Sequence, residues 1–97
     1  MTIPEFMKRQ KRIMESKKKY TGLSMPELEE LDDVNQASKD LRKQFREERQ
    51  EMGLAEIQVY LDLCKKKYTL TKKGQGTIKN IENYIKKRTK VKEDSGD

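Results

Sequence analysis

Apolar residues in this 97-residue chain recur three and four apart, and no segment keeps up the alternation of a strand. The pattern predicts an all-α fold, a small bundle of about four helices. The first helix runs from about Ile3 to Lys19, with Ile3, Phe6, Met7, Ile13 and Met14 apolar and Lys8, Arg9, Lys11, Arg12 and Lys18 opposite. The second starts at Met25 and extends toward Met52. It carries an imperfect heptad stripe, with Leu31, Ser38, Phe45 and Met52 seven apart and Val34, Leu41 and Glu48 between them. At ~1.5 Å per residue it would span roughly 42 Å, well beyond its neighbours. Such an overhang favours either a homodimer joined along Leu31, Val34, Leu41, Phe45 and Met52 or a break at Gly53. The third helix covers about Leu54 to Lys67, with Leu54, Ile57, Leu61, Cys64 and Tyr68 on one face, and as the most apolar segment it should be central. Thr69 to Gly76 reads as a loop. The fourth begins near Thr77 and places Ile78, Ile81, Tyr84 and Ile85 together. One helical domain over 1–90 and a disordered charged tail over 91–97 are expected.

Two helix starts use the same device. Thr2-Ile3-Pro4-Glu5 and Ser24-Met25-Pro26-Glu27 each place a hydroxyl at the cap, Pro in the first turn and Glu three residues on. The hydroxyl accepts from an orphan amide, the Glu reaches back, and Pro loses no bond where none was available.

Composition narrows the picture. Leu, Ile, Val and Phe supply only 19 of 97 residues, so the core is thin. There is one cysteine, Cys64, and no histidine. Cys–His and Ser–His catalysis are therefore impossible, a zinc site is excluded in practice, and a lone cysteine fits a reducing compartment. On its apolar face Cys64 reads as a small hydrophobe. No stretch approaches the ~20 apolar residues of a membrane span, and the N-terminus lacks the apolar core of a signal peptide. A soluble, non-enzymatic protein without cofactor or metal is expected, cytoplasmic or, in a eukaryotic cell, nuclear.

Charge changes the picture more. Residues 1–20 carry seven Lys/Arg against two Glu, residues 21–52 five against nine acids, and residues 53–97 eleven against six. Basic arms thus flank an acidic middle. The pentapeptide Lys-Lys-Lys-Tyr-Thr occurs twice, as Lys17-Lys18-Lys19-Tyr20-Thr21 and Lys65-Lys66-Lys67-Tyr68-Thr69. Lysines at a helix C-terminus complement the helix dipole. Clustered ammonium groups beside an aromatic ring also suit phosphates and bases.

The segment Lys72-Lys73-Gly74-Gln75-Gly76-Thr77 adds a second anion-binding feature. Glycines allow close backbone approach, first-turn amides point at an anion, and Thr77 can cap the helix or donate to a phosphate oxygen. It is not a Walker loop, since no Lys-Ser/Thr pair follows the second glycine. The Gly-x-Gly between two helices resembles the helix-hairpin-helix motif, which grips a DNA backbone. The resemblance covers a dozen or so residues, with Gln75 where an apolar residue is expected and Asn80 where a small one is usual. Residues 54–85 also hold the two helices of a helix-turn-helix, with a connection longer than the usual turn of ~3–4 residues. The acidic run Glu27, Glu29, Glu30, Asp32 and Asp33 complements the start of the second helix and could dock a basic partner or the chain's own first helix.

The expected function is nucleic-acid binding, DNA before RNA, by a small accessory or regulatory protein. Lys17, Lys18, Lys19, Lys65, Lys66, Lys67, Lys72 and Lys73 would contact phosphates, Gly74 and Gly76 would offer amides, and Thr77 would assist. The lysine-rich, histidine-free style fits a phage or mobile-element protein. The rival is a helical adaptor or inhibitor that captures a protein partner through the acidic start and heptad stripe of the second helix.

Overall fold

Four helices follow in the expected order in the computed structural model, which describes residues 2–95 and their side chains as far as residue 90. They are α1 Ile3–Lys19, α2 Met25–Glu48, α3 Leu54–Thr71 and α4 Gln75–Ser95. Both capping boxes form. The Thr2 hydroxyl accepts from the Glu5 amide at 3.4 Å, and Ser24 accepts from Glu27 at 3.4 Å. In return the Ser24 amide and hydroxyl donate to the Glu27 carboxylate at 3.0 and 2.9 Å, which holds that carboxyl below its ordinary pKa.

The helices end differently from the sequence reading. α2 stops at Glu48, a 3-10 turn covers Arg49–Glu51, and Gly53 caps α3. The break arises because Met52 folds back into the core, where it is fully buried. α3 runs on to Thr71 and is closed by Lys72 in the left-handed conformation (φ 60°), followed by Gly74 at φ 101°. Few side chains tolerate a positive φ, so Gly74 fixes the turn. α4 then starts at Gln75, so Gly76 lies within its first turn and Thr77 is not the cap. The connection is therefore only Lys72–Gly74, short enough for a helix-turn-helix. Yet Ile57, Tyr60 and Leu61 of α3 share one core with Ile78, Ile81, Tyr84 and Ile85 of α4. Contact over that length makes the pair an antiparallel hairpin rather than a crossed helix-turn-helix. The backbone of α4 is helical to Ser95. The disordered tail expected over 91–97 falls on side chains and terminal residues outside those described.

The heptad stripe of α2 is spent inside the chain. Leu31 and Met52 are fully buried, Val34 and Phe45 nearly so, and Leu41 packs against the same core. A homodimer joined along these residues would have to open that core. The supposed overhang is covered because α1 lies on the N-terminal turns of α2 and α3 on its C-terminal half. Ser38, a gap in the heptad, is buried and donates its hydroxyl to the Asn35 carbonyl at 3.3 Å.

α1 is held more lightly. Of its apolar set only Ile13 is buried, while Ile3, Phe6, Met7 and Met14 stay exposed. Polar contacts supplement the packing. Arg12 forms a two-pronged pair with buried Asp32 at 2.7 and 3.2 Å, and Arg9 meets Asp33 at 2.6 Å. These hydrogen bonds raise both guanidinium pKa values further. The acidic start of α2 thus docks the chain's own basic helix.

Each helix packs on its neighbour in sequence. The radius of gyration, 16.2 Å, exceeds the ~13 Å of a compact chain this long, as an extended row of helices requires. Among the described residues no helix is long and apolar enough to cross a membrane.

Candidate nucleic-acid interface

α2 and α4 both lie against α3, and between them only side chains meet. The arrangement leaves a groove of about 820 Å³ with α3 at its base. Helical periodicity decides which residues line it. From α2 come Ser38, Arg42, Phe45 and Arg46, one face at three- and four-residue steps, and Arg49 of the 3-10 turn follows them. From α4 come Thr77, Asn80, Asn83, Tyr84 and Lys87, again one face. α3 contributes Tyr60, Leu63, Cys64 and Lys67, while Lys19, Tyr20, Lys73 and Gly74 stand at the mouth.

Aromatic rings build one end. Phe45 meets Tyr60 in a tilted contact at 5.5 Å and Tyr84 edge-on at 5.5 Å. The Arg49 guanidinium lies 4.8 Å from the Phe45 centroid and 5.7 Å from that of Tyr84. α4 also closes off the end of α2. The Tyr84 hydroxyl donates to the Arg49 carbonyl at 3.2 Å, and Arg88 donates to the Met52 carbonyl. At the other end, Tyr20 is flanked by the ammonium groups of Lys19 at 5.5 Å and Lys73 at 5.4 Å.

The electrostatics are one-sided. Seven Lys and Arg line the groove, and no Asp or Glu does. Among the described residues none of the seven pairs with a carboxylate, whereas Arg9 and Arg12 do. The start of α4 at the mouth adds the positive end of a helix dipole. Cys64 is half-buried. Burial pushes its thiol pKa up, despite the neighbouring Tyr60 hydroxyl, Arg42 and Lys67. Burial likewise raises the Tyr60 phenol.

Of the residues expected at a phosphate site, Lys19, Lys67, Lys73, Gly74 and Thr77 line the groove. Lys17, Lys18, Lys65, Lys66, Lys72 and Gly76 do not, because successive helical residues point 100° apart and only one lysine of each triplet faces inward. The two Lys-Lys-Lys-Tyr-Thr copies are also not equivalent: Tyr20 lines the groove and Tyr68 does not. Sequence reasoning missed Arg42, Arg46, Arg49 and Lys87. The signal was present as three arginines at i, i+4 and i+7, but an acidic average over residues 21–52 concealed it. Comparison with protein-family models, curated proteins and solved structures finds no match to this chain.

Proposed function

We propose that this chain binds nucleic acid through the groove between α2 and α4, by neutralising backbone phosphates. The observation that carries the reading is a concave surface with seven cations and no carboxylate. Like charges held together without counter-charges repel one another, and a polyanion relieves that repulsion by displacing condensed counterions. The role we read is binding rather than catalysis; burial pushes the Cys64 thiol pKa up, which disfavours the thiolate a nucleophile needs.

Mobility-shift titration at low salt, with generic single-stranded and duplex probes, tests it. Binding that drops by roughly a hundredfold in an Arg42→Gln, Arg46→Gln, Lys73→Gln variant supports the groove. Failure of both probes to shift at micromolar protein removes the reading.

A protein-binding role has one observation in its favour, and it lies on α1 rather than α2. Ile3, Phe6, Met7 and Met14 form an uncovered strip, and helix phase sets Lys11 and Lys18 beside Met7 and Met14 rather than opposite them as expected, a surface suited to an acidic amphipathic helix. That reading expects the groove changes to be silent and Phe6→Ala to abolish capture of such a peptide.

A further inference from the structure

We propose that the groove takes single-stranded nucleic acid in preference to duplex, with a base stacked on Tyr20; this rests on the nucleic-acid reading above. Shape comes first. A groove of about 820 Å³ is the size of a small-ligand cleft, about 300–1,000 Å³. Six of its cations, Lys19, Arg42, Arg46, Arg49, Lys73 and Lys87, are exposed along the walls and mouth, and the seventh stands deeper. Lys67 belongs to α3 at the base and is half-buried, so only a strand that enters the groove meets it. A duplex is convex and turns its base faces inward, away from such a floor.

The chemistry of the lining points the same way. Phosphates need donors alone, and the lysines and arginines supply them. Asn80 and Asn83 bring acceptors as well as donors, and among the described residues neither amide bonds within the chain. An exposed amide that both donates and accepts matches the Watson–Crick edge of an unpaired base, which a duplex hides. Tyr20 completes the set. Its part-buried ring has the ammonium groups of Lys19 and Lys73 5.5 and 5.4 Å from its centroid. A base stacked on that ring would place its flanking phosphates beside Lys19 and Lys73, the pairing of ring and charge that single-strand binders use.

Fluorescence anisotropy with labelled probes of about 12 nucleotides distinguishes the outcomes. The probes are a mixed-sequence DNA strand, the matching RNA strand and the matching DNA duplex. At least one single strand is expected to bind about tenfold or more tighter than the duplex. Tyr20→Ala should weaken single-strand binding by at least about fivefold, Tyr20→Phe should restore it, and neither should move duplex binding. If Tyr20→Ala fails to fold by circular dichroism, the exposed pair Asn80→Ala, Asn83→Ala takes its place, with a severalfold loss on the single strand alone. Duplex binding that equals or exceeds single-strand binding, and falls with Arg42→Gln and Arg46→Gln, keeps the groove as a nucleic-acid site but overturns the single-strand assignment. So does a folded Tyr20→Ala or Asn80→Ala, Asn83→Ala variant with wild-type affinity. No binding of any probe overturns both readings together.

Discussion

The two ends of α2 treat arginine in opposite ways. Near its start, Asp32 and Asp33 meet Arg9 and Arg12 of α1, and the charges cancel, in a part-buried pair for Arg12 and Asp32 and an exposed one for Arg9 and Asp33. Near its end, Arg42, Arg46 and Arg49 face a groove that no carboxylate enters. Packing divides in the same place. The first region buries Ile13, Leu28, Leu31 and Val34, and relies on ion pairs to hold α1. The second has an aromatic and aliphatic core of Phe45, Met52, Ile57, Tyr60, Leu61 and Ile81. The comparison separates structural charge from available charge. Paired arginines fix one helix to another, while those beside the aromatic core have no carboxylate partner among the described residues.

The sharpest way to break that comparison is to remove the frame. Phe45 is 7% exposed and carries both ring contacts, so Phe45→Ala should cost about 3–5 kcal/mol in urea unfolding. Met7→Ala, at a position 65% exposed, should change stability by no more than about 0.5 kcal/mol. Equal losses would show that α1 is as firmly packed as the core. A smaller effect is expected at the paired end. Asp32→Asn removes the negative charge facing Arg12, whose side chain is 38% exposed and screened by water, so the urea midpoint should fall by less than for Phe45→Ala, with nucleic-acid affinity unchanged. A fall in affinity there would tie the ion pairs to binding.

The smallest effect concerns Cys64. Its raised pKa means that the folded chain holds the thiol proton more tightly than the unfolded chain does. Stability from this group is therefore intact through neutral pH and declines as pH rises above the ordinary thiol value of about 8.5. Alkylation should be slow at neutral pH, accelerate only above that value, and slow further when a strand fills the groove. Rapid alkylation at pH 7 would place Cys64 in an exposed, activated setting instead.

Much of the fold was legible because the signals were local. Thr2 and Ser24, with Pro and Glu behind them, marked two helix starts that form as read. The end of α2 was not legible, since Met52 continues a heptad that the chain uses to turn back into its core. For the same reason the stripe from Leu31 to Met52 resembled a dimer seam: periodicity identifies a buried face but not what covers it. The site was half legible. Lys19, Lys67 and Lys73 were in view as lysine clusters, but which lysine of each triplet faces inward depends on helix phase. Arg42, Arg46 and Arg49 were hidden by averaging, because Asp40, Glu47, Glu48 and Glu51 share their segment without lining their face.

The division between paired and available arginine is tested most directly by the salt dependence of binding. Affinity for a single-stranded probe would be measured across a series of salt concentrations for the wild type and two variants, Arg42→Gln, Arg46→Gln, Lys73→Gln and Arg9→Gln, Arg12→Gln. With most of the seven groove cations engaged, log affinity should fall against log salt with a slope of roughly −4 to −5. The groove variant should flatten that slope by about two to three units, and the Arg9, Arg12 variant should leave it unchanged while unfolding more easily. Equal flattening by both variants, or a wild-type slope near zero, would contradict the account.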